Sequence, residues 1–422
     1  MPYVLGIDLG HTRTSAAVCR YSDGSWTAPE VVSLDGGPGW VESAVHVTSD
    51  GAVLAGQALA HQQSAPERTV RGLPHRVGDP VPVVVGTQAY SGEVLTAALA
   101  GWVSDQLANS MGRPAQQIVL THPPGWGSHR RRVLHDALEA ARLPGALVLP
   151  APVAAAECHA AAERIDVGTV LAVCRLGGER VESSLLRRGQ AGFEVLTHAA
   201  GPDPNAGTLI DDLLVEHVLD GLDVTPSDPR LRARLRGGCM RAKELLSEQQ
   251  EAMIPVPTAG DIAITRRELD HIAAPVLRAA ADQLARLAGR VPDGELAAAA
   301  LTGGTARMPQ AATLAEATLR RNGIDCPVRV GADPAHAVCE GAALIARRRL
   351  APDAEPAAPV AAHSDMPEQS VAGAEYELDE IDIGPPPPRP PVEITPLEPP
   401  PRRTAVLLRR GSRGADRDGD GR

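Results

Sequence analysis

The chain has 422 residues, enough for two or three domains, and its 43% hydrophobic content supports a buried core. Only 2% of residues are aromatic, with Phe193 the single phenylalanine, so the core must be aliphatic and base-stacking platforms are scarce. A net charge of -11 argues against a nucleic-acid binder, which needs a basic face, and no run of about 18 apolar residues marks a membrane span.

The six cysteines, Cys19, Cys158, Cys174, Cys239, Cys326 and Cys339, include no C-x-x-C pair, so neither a disulfide framework nor a zinc site is indicated. The opening "MPYVLGIDLG" lacks the layout of a signal peptide, and a cytoplasmic location is expected. Lys243 is the only lysine, every other basic side chain being arginine.

In chain order, residues 1–55 read as a meander of short strands. A Ser-capped helix is expected over 91–111, a strand at "QIVLTHPP", a helix over 128–143, the strand "ALVLP" and a helix from near Val153. The pattern then recurs. Strands "VGTVLAVCRL", "VESSLLRRG" and "FEVLTHAAG" precede helices at about 208–222, 229–250 and 266–288. The strand "AAAALTGG", a helix over 308–322, the strand "CPVRVG" and a helix over 334–349 follow. Two meander-plus-helix halves predict a duplicated α/β architecture with a cleft between lobes 1–167 and 168–350. From 351 to 422 the chain is proline-rich and acidic with a basic end, a composition expected to be disordered. Its "PPPPRPP" is equally a stiff spacer and a docking segment for a protein partner.

Three motifs carry candidate chemistry. "GIDLGHTRTS" sets Asp8 in a strand, Gly10 at the turn and Thr12 beyond, a hairpin able to present N–H groups and a hydroxyl to phosphates and Asp8 to a metal. "LTGGTARMP" brings Gly303 and Gly304 to a strand-helix turn with Arg307, whose guanidinium can stack on a base. "CMRAKELLS" puts Lys243 and Ser247 four apart on one helix face. Alone, each is equally a solvent-facing acid, an ordinary tight turn or a solvated helix face.

Taken together and in this order, "GIDLG" with Thr12, "LTHPPGWGSHRRRVLHDALEAARL", "APVAAAE", "CMRAKELLS", "LTGGTARMP" and "DPAHAVCEGAAL" resemble the ATPase domain of the 70-kDa heat-shock chaperone family. The resemblance runs from about Tyr3 to Arg348. It implies an actin-like ATPase fold, two lobes around a cleft that holds ATP or ADP with Mg2+. By position, Asp8, Gly10 and Thr12 would serve the phosphates and metal, and Gly177 and Gly178 would form the second phosphate turn. Lys243 and Ser247 would contact adenosine, while Gly303, Gly304 and Arg307 would frame the base.

The departures from that pattern bear on activity. In the second phosphate hairpin the family has an acid, Leu, three glycines and Thr; here the run is Arg175, Leu176, Gly177, Gly178, Glu179, Arg180. The family's catalytic lysine has no counterpart in "RTVRGLPHRVGD", where Arg71, His75 or Arg76 could supply charge. Ala151 stands where the family has a glutamate, Pro202 where it has an acid with Asp203 beside it, and Ala206 for a glycine. In the adenosine segments Met240 replaces a glutamate and Ala335 an aspartate. Hydrolysis of this kind needs Mg2+ and groups that orient water. The expected protein therefore binds an adenine nucleotide, hydrolyses it weakly or not at all and acts through conformation on a protein partner. Arg175 suggests that binding depends less on Mg2+ than in the family. The alternatives are an active ATPase using Arg71 or Arg76 with Asp203, and a non-binding scaffold acting through its tail. The 72 residues after 350 cannot supply a peptide-binding domain, so direct handling of client chains is not expected.

Overall fold

The first apolar run forms β1 (Tyr3–Leu9), buried throughout, which pairs antiparallel with β2 (Arg13–Ser22) so that Asp8 lies opposite Ser15. A strand buried on both faces reads as continuous apolar sequence rather than as alternation. The computed structural model describes residues 1–350 apart from 63–64, 202–204, 223–228 and 257–259. The tail expected from 351 and the candidate Asp203 fall outside the described residues.

After the hairpin come β3 (Ser25–Trp26), β4 (Glu30–Val31) and β5 (Trp40–Glu42), all folded back onto β2. The expected meander ends there, because β6 (Ala44–Val47) and β7 (Val53–Leu54) join β8 (Thr69–Arg71) in a separate sheet. A short helix α1 (Leu73–Arg76) and the hairpin of β9 (Val83–Val85) and β10 (Gln88–Tyr90) lead to α2 (Gly92–Met111). Next are β11 (Ile118–His122), α3 (Ser128–Ala140), β12 (Leu147–Pro150) and α4 (Ala151–Ala162). Helix α4 starts two residues before the expected Val153 because Pro152 suits the first turn, where its missing N–H is not needed.

The second half contains β13 (Val170–Leu176), β14 (Val181–Arg188), β15 (Phe193–Ala200), α5 (Gly207–Leu222) and α6 (Pro229–Leu246). Then follow the hairpin of β16 (Glu251–Val256) and β17 (Gly260–Thr265), α7 (Arg266–Ala288), β18 (Leu296–Thr302), α8 (Pro309–Arg321), β19 (Val328–Val330) and α9 (Ala337–Leu350). Thr265 and Glu268 close α7 with a reciprocal capping box. Thr265→Ala is expected to cost about 1 kcal/mol, measured as a lower urea midpoint at unchanged slope.

The two main sheets repeat one plan. The first is ordered β12-β11-β1-β2-β3 and the second β19-β18-β13-β14-β15, each with an antiparallel hairpin beside two parallel strands. Each central hairpin also has a four-residue turn, since Leu9 pairs with Thr14 and Leu176 with Val181. In both, the residue before the last paired position is the one of interest: Asp8 in β1 and Arg175 in β13. Structural duplication thus makes Arg175 the counterpart of Asp8, matching the loss of an acid inferred from sequence.

A cluster of small and aliphatic residues joins the sheets: Val4, Ala17 and Val119 from the first, Leu171, Val173 and Ala298 from the second, with α4 and α9 between. Although α9 ends the second half of the sequence, it packs on β1, β2, β11 and α4. Gly341 of α9 lies so close to the Ala154 carbonyl that a Cβ would overlap it, and Gly6 of β1 is equally tight against the α9 backbone at Cys339 and Ala343. Glu157 of α4, buried, accepts from Arg188 of β14 and Arg348 of α9, tying α4, β14 and α9 by charge.

Candidate functional site

The two equivalent hairpins meet turn to turn. Asp8, buried at the end of β1, accepts from the Thr121 hydroxyl at 2.9 Å through Oδ1 and from the Arg175 guanidinium at 2.7 Å through Oδ2. Arg175 also lies 3.2 Å from where a Gly10 Cβ would stand, and a Cβ on Gly178 would fall 2.5 Å from Thr12 Oγ1. Asp8, Gly10, Thr12, Gly177 and Gly178 are therefore brought together, with Arg175 at the centre. Glu182, opposite Arg175 in the β13–β14 ladder, is buried. Burial pushes its carboxyl above the usual range, against the pull of Arg175 and Arg180.

The second turn is stitched to neighbouring segments. The Gly177 carbonyl accepts from Gly207 N–H at 3.1 Å and from the Thr305 hydroxyl at 2.9 Å, and the Gly178 carbonyl accepts from Thr208 N–H at 2.7 Å. The first N–H groups of α5, the kind of donor a helix offers to an anion, are used here by the hairpin itself. Gly303, at φ +90°, sits where a Cβ would overlap the Leu176 carbonyl, so close approach to the hairpin requires glycine. Gly304 starts the 3-10 turn Gly304–Arg307 and is open on its Cβ side.

Lys243 adjoins this cluster. Its Nζ donates to the Gly207 carbonyl at 2.8 Å and pairs with buried Asp211 at 2.7 Å. Ser247 lies just beyond the end of α6 and donates to the Lys243 carbonyl at 3.2 Å. Arg307 is placed differently: it donates to Asp333 at 2.5 Å, and Asp333 accepts from His336 at 2.6 Å. Burial raises the Asp333 carboxyl, but the bonds from His336 and Arg307 outweigh it and hold the group below the usual range.

Lys243 has a structural duty whatever it contacts. Lys243→Ala is expected to cost about 2 kcal/mol at pH 7 by leaving Asp211 ionised, buried and unpaired. Burial already raises the Asp211 pKa and Lys243 opposes that rise. Removing Lys243 raises it further above the unfolded value, so the variant's deficit should grow as pH rises and shrink toward pH 4. Melting temperatures of both proteins across that range check this.

Several participants were not singled out in the sequence. Arg13, the last turn residue before β2 continues, stacks 3.7 Å over the Trp40 ring and pairs with Glu244 of α6, with Met240 Sδ 3.8 Å away. It thereby ties the first hairpin to the helix carrying Lys243. Thr121, Asp211, Thr305 and Asp333 are the others; each is a common polar residue whose partner is remote in sequence. Of the three residues considered for the missing lysine, Arg71 turns to Glu42 at 2.5 Å and Arg76 to Asp79 at 3.1 Å, both exposed pairs. His75 instead packs against His11, ring centroids 3.8 Å apart and the rings tilted by 40°, and lies 3.8 Å from Glu179.

The donor set does not fit Mg2+. Hard divalent cations take several oxygen ligands, yet both oxygens of Asp8 are engaged and a guanidinium occupies its outer side. Among the described residues no group of three or more His, Cys, Asp or Glu could hold a metal ion. No helix among them is long and apolar enough to cross a membrane.

Paired sheets of one plan, each presenting a glycine turn to the other, define an actin-like ATPase fold. The sequence profile described as Hsp70 protein matches residues 78–354. The chain belongs to the Hsp70 family. It is 26% identical over 364 residues to the "Chaperone protein DnaK" of Elusimicrobium minutum, covering 82% of this chain and 57% of that protein. To the "Chaperone protein HscA homolog" of Acidithiobacillus ferrooxidans it is 28% identical over 375 residues, covering 81% and 57%. To the "Chaperone protein DnaK" of Picrophilus torridus it is 27% identical over 363 residues, covering 82% and 58%. The chain thus spans less than two thirds of the length of these relatives.

Proposed function

We propose that the domain binds ADP or ATP between lobes 1–167 and 168–350, with α9 returning to the first, and hydrolyses ATP weakly or not at all. The observation that carries the reading is the Asp8–Arg175 ion pair: a fixed cation takes the place beside Asp8 where a metal-assisted reaction needs an ion with bound water. Loss of such electrostatic groups costs about 10²-fold or more each in rate. The adenosine side would use Lys243, Ser247, Gly303, Gly304 and Arg307. That placement is supported by the adjacency of Lys243, Gly207 and Gly177 and by the open face of Gly304.

Phosphate entry requires the Thr12–Gly178 contact to open and strains the Arg13–Glu244 pair, so occupancy is coupled to the relation between the two sheets. That coupling supports a regulatory role, in which a protein partner reads the separation of the lobes. The same contact favours a second reading, a scaffold that binds no nucleotide. Thermal unfolding with and without ADP or ATP separates the two. A nucleotide-dependent rise that Arg307→Ala weakens supports binding, and an unchanged transition at saturating ADP and ATP sinks it.

A further inference from the structure

Four side chains able to carry positive charge converge on the paired turns: His11 from the first, Arg175 and Arg180 from the second hairpin, and His75 from α1. The acids facing them are Asp8 and Glu182 at Arg175 and Glu179 near His75. His11 packs against His75, and its Nε2 is buried without a hydrogen-bond partner. Burial, then the charges of His75, Arg175 and Arg180, push the His11 pKa down to about 2. The convergence of two guanidinium groups and two imidazoles on the turns, rather than that burial, is what disfavours a metal cation there and favours an anion.

We propose that the paired turns form a metal-independent polyphosphate site, in which Arg175, Arg180 and His11 take the terminal phosphates of a nucleoside di- or triphosphate as a bare anion. The proposal rests on the nucleotide-binding reading above and specifies how that site works. A guanidinium has five N–H donors in a planar fork, of which the bond to Asp8 uses one. Planar forks pair with phosphate oxygens bidentately. The buried His11 Nε2 supplies a further donor in the tautomer that carries its proton there, and Thr12 a hydroxyl. Mg2+ neutralises the same phosphate oxygens that these groups would bind, so the two modes compete. In this site the metal is a competitor and not a ligand bridge.

Calorimetric titration of the full chain with ADP, ATP and tripolyphosphate, each in EDTA and in excess Mg2+, is the test. The expected result is binding of all three in EDTA, equal to or tighter than in Mg2+, with tripolyphosphate displacing ADP in EDTA. Arg180→Ala and His11→Ala should each weaken ADP about tenfold in EDTA, about 1.4 kcal/mol. The thermal transition of each free variant is recorded beside its titration, and Arg180→Lys, which keeps the charge and loses the planar fork, should weaken ADP less than Arg180→Ala. ADP binding that falls tenfold or more in EDTA overturns the proposal while leaving nucleotide binding intact. No binding of ADP or ATP in either buffer overturns both.

Discussion

Arg175→Asp is expected to lower stability by about 3–5 kcal/mol in EDTA and to make the melting temperature rise with Mg2+, which the wild type should not show. Removing one partner of a mostly buried ion pair leaves the other charge uncompensated, and that cost exceeds the net worth of the pair. Here the introduced carboxylate would also face Asp8 and Glu182, both buried. Three acids that have lost the guanidinium between them repel one another; with Mg2+ they become an oxygen-rich site. The deficit should shrink as pH falls, because a buried carboxyl with a raised pKa, as Glu182 has, destabilises the fold only while ionised. Arg175→Gln separates the two effects: it should lose stability in EDTA without gaining a response to Mg2+. A wild-type transition that shifts with Mg2+ alone would count against the role given to Arg175.

The second large effect lies at the joint between the sheets. Gly341→Val is expected to cost at least about 3 kcal/mol and to leave little folded protein at 37 °C, since its Cβ overlaps the Ala154 carbonyl across the α4–α9 contact. The overlap is with backbone, which no rotamer change relieves. Helix α9 touches α4 on one side and β1 on the other, so a displacement there separates elements of both sheets. Gly101→Ala in α2 is the control: its Cβ would meet its nearest atom at 3.9 Å, and helix propensity predicts a gain of up to about 1 kcal/mol. Scanning calorimetry of the two variants distinguishes a packing requirement from a general intolerance of side chains at glycine.

Much of this fold was legible because its long elements carry their own signals. Helix α7 runs over the expected 266–288, where Thr265 caps its start, and β13, β14 and β15 lie within the runs assigned to them. The hairpin β16–β17 is not among the expected elements, and α6 ends at Leu246, short of the expected 250. Pro255 within "EAMIPV" spoke against a strand, yet β16 is one edge of a two-stranded ribbon, where a missing N–H is tolerated. Among the described residues, 56–90 hold pieces of three to six residues, too short for any period to emerge.

The site divides in the same way. Gly10, Thr12, Gly177 and Gly178 were readable because they come together in two short turns whose glycines announce them, and Asp8 because it lies in the strand that leads into the first. Arg13–Glu244 and Lys243–Asp211 were not, since a pairing between elements 231 or 32 residues apart leaves no local trace. The available signal was in the turns themselves: "GHTR" and "GGER" each place basic or imidazole side chains where a metal-binding loop would carry none.

The central claim is that Arg175 has replaced the metal-dependent half of the phosphate site. Single-turnover hydrolysis of ATP in Mg2+, by the wild type beside Asp8→Asn, tests it most directly. Phosphate release no faster than in buffer, and the same in both proteins, is predicted. Mg2+-dependent release above that level, abolished by Asp8→Asn, would contradict it.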